Sequence, residues 1–127
     1  MAFMIVAGLC VTWLGIAGVI GFYGLFGVDC EGDFKRTAAE GTDPYFYGRS
    51  DFVENHMIYP MISYQGWNLL YTLINPDQFS WSMVGHHGVT GLLAYFGLRP
   101  YLQYYGLFFF GIAELTNIPL TFVDTFK

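Results

Sequence analysis

Charged residues are scarce in this sequence, at 12% of its 127 positions. Ordinary soluble domains carry roughly 25% charged residues. Hydrophobic residues make up 54% of the chain and aromatic residues 20%. This balance excludes an ordinary soluble domain and indicates a chain that lies in lipid or packs inside a large membrane complex.

Basic residues are the rarest charged class, with five Lys and Arg against ten Asp and Glu. So few cations cannot form a phosphate-binding face, which excludes nucleic acid as a partner. The first ten residues contain no basic residue, which argues against a secretory signal peptide. The acids are concentrated, because seven of the ten lie between residues 29 and 54.

Cysteine is also rare, and two cysteines do not make a disulfide framework. Cys10 lies inside an apolar run and Cys30 lies in the acidic stretch. We expect both to be free thiols.

Four apolar runs follow one another along the chain. Because about 20 apolar residues span a bilayer, we predict an all-α integral membrane protein, a bundle of about four transmembrane helices with one acidic hydrophilic loop. The predicted helices cover residues 1–28, 57–75, 81–98 and 101–123, and the loop covers residues 29–55. The predicted organisation is an N-terminal helix, the loop with a short helix near Thr37–Glu40, and a helical membrane domain over residues 57–127. Pro119 is expected to kink the last helix.

Glycine recurs at every third position in the second half of the first run, at Gly15, Gly18, Gly21, Gly24 and Gly27. Small residues allow helices to approach closely in lipid. We therefore expect a neighbouring helix against this face.

Polar side chains interrupt the later runs and supply the candidate site residues. Ionisable groups at membrane depth are candidates for function by default. The candidates are Asn68 and Tyr71 in the second run, His86, His87 and Thr90 in the third, and Glu114 and Asn117 in the fourth. Adjacent residues of a helix point about 100° apart, so one ligand does not easily hold both histidines on a regular helix, although a looser geometry at the first turn would allow it.

Several chemistries remain open for these groups. A histidine can relay protons near neutral pH, and a carboxyl group can assist it. Two histidines and a glutamate match some zinc and iron sites in ligand type, and one histidine can hold haem iron or chlorophyll magnesium. A structural role, with the histidines capping their helix or bonded to Glu114, competes with all of these.

Two stretches together resemble a known family. "HHGVTGLLAYF" followed by "GIAELTNIPLTFVDTFK" resembles the TLC-domain family, membrane proteins that include the ceramide synthases and the translocon-associated membrane proteins. Its members carry a His-His pair, a Thr four residues after the first His, and an acidic motif one helix later. Here Glu114, Thr116, Asn117 and Leu120 stand at the motif's spacing, and Gly66, Trp67 and Tyr71 match a stretch upstream. The resemblance covers about residues 57–127.

The departures from the family pattern point away from catalysis. Glu114 and Asn117 stand where the acyl-transferring members have aspartates, and Thr72 replaces an acid. The resemblance therefore implies the non-synthase branch. The family's domain continues for several helices beyond the acidic motif, so we expect a partial domain that does not enclose a reaction cavity by itself.

We expect a TLC-like, non-catalytic membrane protein that is associated with membrane lipids and contains bound lipid. We expect it to pack against other transmembrane helices of a larger complex and to lie in the endoplasmic reticulum. His86, His87, Thr90, Glu114, Asn117, Asn68 and Tyr71 are the expected lipid- or ligand-contacting residues. The alternative is an accessory subunit of a photosystem or respiratory complex, in the thylakoid or mitochondrial inner membrane, with His86 or His87 holding chlorophyll or haem. A further alternative is a lipid-modifying, acyltransferase-like enzyme with His86, His87 and Glu114 as catalytic candidates.

Overall fold

The computed structural model of the protein describes residues 2–99, 101–119 and 123. The described residues form helices and no strand, which confirms the all-α prediction for this part of the chain. The α-helices are α1 (Ala2–Tyr23), α2 (Cys30–Thr37), α3 (Pro44–Tyr47), α4 (Asp51–Val53), α5 (Tyr59–Ile74), α6 (Trp81–Gly97) and α7 (Gln103–Gly106). Leu120 of the acidic motif lies outside the described residues.

Four helical segments among the described residues depart from α geometry. A 3₁₀ turn over Leu25–Gly27 ends the first run, and a π segment over Glu54–Ile58 joins α4 to α5. After α7 the chain continues as a π segment over Leu107–Gly111 and a 3₁₀ segment over Ile112–Thr116. Residues 103–119 are named here the terminal segment. Its departure from α geometry precedes Pro119.

Only one helix among the described residues is long and apolar enough to cross a membrane by itself, over Ile5–Tyr23. Helix α5 has 16 residues and α6 has 17, fewer than the roughly 20 that span a bilayer. The fourth predicted helix is divided between α, π and 3₁₀ geometry. The four apolar runs are therefore helical, but a bundle of four spanning helices is not confirmed.

The glycine face of α1 packs against the terminal segment of the same chain. A Cβ added to Gly18 would lie 2.5 Å from the Cα of Gly111, so the two backbones are in contact. Gly15 and Gly21 face the side chains of Leu115 and Leu107 in the same way. Gly24 and Gly27 do not take part, because both have positive φ and lie at the end of the helix.

The bundle consists of two helix pairs. Helix α1 packs on the terminal segment, and α5 packs on α6 as an antiparallel pair. The two pairs meet mainly through α1, α5 and the π segment that precedes α5, around the buried side chains of Leu14, Met57, Ile58, Met61 and Leu107. Helix α6 and the part of the terminal segment after α7 make no comparable contact with each other.

The acidic stretch 29–55 contains three short helices. Asp29 caps α2, because its carboxylate accepts a hydrogen bond of 2.9 Å from the Gly32 amide. Helix α2 buries Cys30 and Phe34 and ends at Thr37, where the next residue is extended. The short helix therefore precedes the Thr37–Glu40 position predicted for it, and that prediction was wrong.

Hydrogen bonds fix this stretch to the turn between α6 and α7. The Gln103 carboxamide accepts from the Ser50 amide at 3.1 Å and donates to the Gly97 carbonyl at 2.6 Å. The amide of Leu102, which has a left-handed φ of 61°, donates to the Phe46 carbonyl at 2.8 Å. The acidic stretch is thus a folded part of the molecule that closes one end of the space between α6 and the terminal segment.

Candidate functional site

A cavity of about 780 Å³ lies between α6 and the terminal segment, and α5 forms its floor. It occupies the space that opens because the two neighbouring elements do not pack on each other. We name it the groove, and its walls come from His86–Gly97 of α6 and from residues 106–117 of the terminal segment. The groove is only partly enclosed, so the expectation that the chain does not enclose a reaction cavity by itself stays a prediction.

One stripe of α6 forms the first wall. His86, Thr90, Leu93 and Gly97 line the groove, and their spacings of four, three and four residues place them on one helix face. At 1.5 Å per residue the stripe is ~16 Å long. The groove therefore follows most of the length of α6.

The terminal segment forms the opposite wall with Gly106, Phe110, Glu114 and Asn117. This segment returns antiparallel to α6 after a short turn, so Gly106 lies at the Gly97 end. Glu114 and Asn117 lie towards His86 and Thr90. These four polar residues are gathered at one end of the groove, whereas Tyr101, Gln103 and Tyr105 line its Gly97 end.

The polar end contains one internal hydrogen bond between its acidic and amide groups. The Asn117 amide donates to Glu114 Oε2 at 2.9 Å, and Glu114 is buried. His86 makes no side-chain hydrogen bond with any described residue, and its ring lies 5.3 Å from that of His87 between centroids. The imidazole of His86 is therefore available to a ligand.

The second histidine is turned away from the groove and towards α5. His87 Nδ1 lies 2.7 Å from Gln65 Oε1, and since a carbonyl oxygen only accepts, Nδ1 is the donor. Gln65 is buried and its amide nitrogen lies 3.3 Å from the sulfur of Met61. The two histidines therefore have different environments: His86 lines the groove and His87 contacts α5. This agrees with the 100° divergence expected of adjacent helix residues.

The structure brings four of the seven predicted site residues together and leaves three outside. His86, Thr90, Glu114 and Asn117 line the groove. His87 contacts α5, and Asn68 and Tyr71 are not among the described lining residues. Asn68 is buried among the helices, and Tyr71 accepts a hydrogen bond of 3.0 Å from Asn75.

Gln65 lines the groove and was missed by the sequence interpretation. It lies seven residues after Ile58, which also lines the groove, so the two share one face of the helical run that includes α5. The available signal was the presence of a polar glutamine inside an apolar run, on the same helix face as Ile58. The interpretation instead selected the face of Asn68 and Tyr71, because four polar groups recur there.

The groove does not present a metal cluster. Among the described residues, no three His, Cys, Asp or Glu side chains are placed to hold a metal ion. With His87 bonded to α5, the two histidines and Glu114 do not converge. Ligation of haem or chlorophyll by a single histidine remains a prediction.

Comparison with known proteins identifies the family. The sequence model of the TLC domain matches residues 4–127. This match includes α1, which the resemblance over residues 57–127 left unexplained. No curated protein sequence and no solved structure matches the chain. Because this match covers almost the whole chain, the protein belongs to the TLC domain family of membrane proteins.

Proposed function

We propose that this protein binds a membrane lipid in the groove and does not transform it. The observation that carries the proposal is the division of one groove into a polar end and an apolar length. His86 and Thr90 of one wall meet Glu114 and Asn117 of the other at one end. The remainder is lined mainly by apolar and aromatic side chains, including Ile58, Leu93, Phe96 and Phe110, with Tyr101, Gln103 and Tyr105 at the Gly97 end. An amphiphile with one polar end and a hydrocarbon chain matches this order.

The apolar length supports binding of a hydrocarbon chain. Apolar pockets with a few placed polar groups are the usual form of small-molecule sites. At the polar end, a hydrogen bond gains strength because the surroundings have a low dielectric constant. The two ends together favour one orientation of the lipid.

The arrangement of the ionisable groups supports binding without turnover. A catalytic base is normally held by a third group that orients it. His86 has no such hydrogen-bonded partner among the described residues. His87 is hydrogen-bonded to Gln65, whose neutral amide does not act as a nucleophile or a base. We therefore assign His86, Thr90, Glu114 and Asn117 to lipid contact.

The outer surface supports a place in the bilayer and beside other helices. Large apolar side chains are exposed on α1, α5 and α6, among them Leu9, Trp67 and Val89. Hydrocarbon or neighbouring transmembrane helices can cover such faces. For a lipid-binding protein of this kind, we propose the endoplasmic reticulum as the membrane.

Two adjacent leucines provide a matched test of the lipid site. Leu92 and Leu93 are 54% and 55% exposed, but only Leu93 lines the groove. The Leu93→Trp side chain would fill the groove, whereas Leu92→Trp would point away from it. Lipid retained by each purified variant is counted by native mass spectrometry in mild detergent.

The expected result is loss of the retained lipid in Leu93→Trp and retention in Leu92→Trp. Equal retention by two folded variants would show that the lipid is held elsewhere. Circular dichroism of both variants establishes that the helices are intact before lipid is compared.

A second candidate function rests on the imidazole of His86, which makes no side-chain hydrogen bond with the described residues and faces a partly aromatic groove. A haem or chlorophyll held there would make the chain an accessory subunit of a bioenergetic complex. The visible spectrum of the purified protein tests this function. A Soret or chlorophyll band that disappears in His86→Ala would support it, and a colourless wild-type protein purified from its own membrane would reject it.

A further inference from the structure

We propose that the groove selects lipids whose polar end donates a hydrogen bond and carries no negative charge, so that it accepts hydroxyl- or amine-ended lipids and excludes phosphate-ended ones. This inference rests on the proposed lipid-binding function and specifies the class of ligand. It follows from which polar groups the polar end contains and where the described cations lie.

No lysine or arginine is among the described residues that line the groove. Its polar end contains the carboxyl group of Glu114, the amides of Asn117 and Gln65, the hydroxyl of Thr90 and the imidazole of His86. Proteins bind phosphate with arginine, lysine or clustered backbone amides. The first two are absent from the described lining, and the helical backbone of α6 has no free amides beside His86.

The described cations of the acidic stretch are already paired. Arg49 lies 2.7 Å from Glu54, Lys35 lies 2.6 Å from Glu31, and Arg36 is paired with Asp33. All three belong to the stretch at the Gly97 end of the groove, away from Glu114. Arg99 follows the C-terminal end of α6, which is also the far end from the polar groups.

A phosphate at the polar end would therefore be a partly desolvated anion with no cation beside it among the described residues, next to the carboxyl group of Glu114. Burial of an unpaired charge is costly. A hydroxyl or amine instead donates to Glu114, and His86 provides a second hydrogen-bonding group. The same residues thus favour a donor and disfavour an anion.

A panel of lipids with one acyl chain and three polar ends tests the selectivity. The probes are a monoacylglycerol, a fatty amine and a lysophosphatidic acid, each added to the detergent-purified full chain and counted by native mass spectrometry. We expect the hydroxyl- and amine-ended lipids to bind at least about tenfold more tightly than the phosphate-ended lipid. Equal or tighter binding of the lysophosphatidic acid overturns the inference.

The Glu114→Gln variant distinguishes the two accepted classes. A glutamine carbonyl still accepts from a hydroxyl, but it cannot pair with an ammonium group. Loss of binding confined to the fatty amine identifies an amine-ended ligand, and near-equal binding of both probes identifies a hydroxyl-ended one. Tighter binding of the lysophosphatidic acid by wild type than by Glu114→Gln contradicts the inference, because the carboxyl group would then favour the anion.

A cation added to the groove should relax the selectivity. Leu93→Lys places an ammonium group in the groove, and Leu92→Lys carries the same charge at equal exposure outside it. Binding of lysophosphatidic acid should rise about tenfold in Leu93→Lys alone. An equal rise in Leu92→Lys would show a surface effect and count against the inference. If neither variant folds, the wild-type panel decides the outcome.

Failure of the inference is distinguishable from failure of the proposed function. If Leu93→Trp retains the copurified lipid as Leu92→Trp does, the groove is not the lipid site and both fail. If Leu93→Trp loses a lipid that tandem mass spectrometry identifies as phosphate-bearing, the function stands and the selectivity fails. Loss of a hydroxyl- or amine-ended lipid without negative charge supports both, and loss of any other lipid contradicts the selectivity.

Discussion

His86 and His87 are neighbours in sequence but lie in different environments, so their replacement should produce different defects. His87 donates to buried Gln65, and loss of a buried hydrogen-bond partner costs about 1–3 kcal/mol. We therefore expect His87→Ala to lower the free energy of unfolding by that amount. Thermal unfolding in detergent, followed by circular dichroism, measures it.

His86→Ala should leave the unfolding free energy within about 0.5 kcal/mol of wild type. It should weaken lipid binding by about five- to tenfold, since it removes one hydrogen bond worth about 1 kcal/mol. Equal losses of stability in the two variants would contradict the division of roles. Gln65→Leu provides a check, because it should reproduce the stability defect of His87→Ala.

Cys30, which lies in the acidic stretch, should make the free energy of unfolding depend on pH. Burial raises the pKa of its thiol, opposed by the hydrogen bond from Ser50 and assisted by the charges of Asp33 and Asp29. A raised pKa in the folded state means that this contribution to stability is present below the unfolded pKa of about 8.5 and is lost as pH rises above it.

We expect the unfolding free energy of wild type to fall above about pH 8.5 more steeply than that of Cys30→Ala. The difference in slope can reach about 1.4 kcal/mol per pH unit for one proton. Urea titrations at pH 7, 8.5 and 9.5 measure both slopes. Parallel slopes would show that the thiol titrates equally in both states.

At the scale of single residues, the sequence predicted the polar residues on the two walls of the groove better than the polar α5 residue that also lines it. The spacing of His86 with Thr90 and of Glu114 with Asn117 identified four lining residues. Gln65 was not identified, because periodicity shows which residues share a face of α5 but not which face turns towards α6. That choice depends on contacts between elements distant in sequence.

The crossing of α1 over the terminal segment gives an element-scale prediction. A Cβ at Gly18 would lie 2.5 Å from the Gly111 backbone, which cannot move aside as a side chain does. Gly18→Ala should therefore destabilise the protein by about 1–3 kcal/mol, as overpacking does. The unfolding midpoint in detergent measures the change.

Gly88→Ala in α6 is the matched control. A Cβ at Gly88 meets nothing within 4 Å, and alanine stabilises a helix interior by about 0.5–1 kcal/mol relative to glycine. The two substitutions should thus shift the midpoint in opposite directions. A shift of the same sign would indicate that the crossing is looser than described.

At the scale of elements, the four apolar runs were found but their geometry was not. Apolar runs report burial, and burial does not require a regular α-helix. The terminal segment changes to π and then 3₁₀ geometry where Gly111 approaches Gly18, and Gly111 has φ −118° and ψ −87°. This distortion depends on the partner helix, so local sequence rules could not predict it.

For the molecule as a whole, Gln103 joins the acidic stretch to the membrane helices. Its side chain satisfies the Ser50 amide and the Gly97 carbonyl, both through buried hydrogen bonds. Gln103→Leu leaves two buried groups without partners, at a cost of about 1–3 kcal/mol each. We expect the acidic stretch to detach locally and trypsin to cleave faster at Lys35, Arg36 and Arg49.

Cleavage is followed by mass spectrometry at fixed trypsin concentration. Gln78→Leu, in the exposed turn between α5 and α6, is the control and should cleave at the wild-type rate. Unchanged cleavage of Gln103→Leu would show that other contacts hold the stretch. The sequence interpreted this stretch as a loop because its anchor lies 53 residues from Ser50.

The gap between α6 and the terminal segment has a mechanical consequence. Because α6 is supported by α5 and the terminal segment by α1, the distance across the groove can change without breaking either pair. Occupancy and this distance are therefore thermodynamically linked, and a lipid that fits one width must stabilise that width by the same free energy. A bound lipid would act as a spacer that sets the width of the whole domain within the membrane.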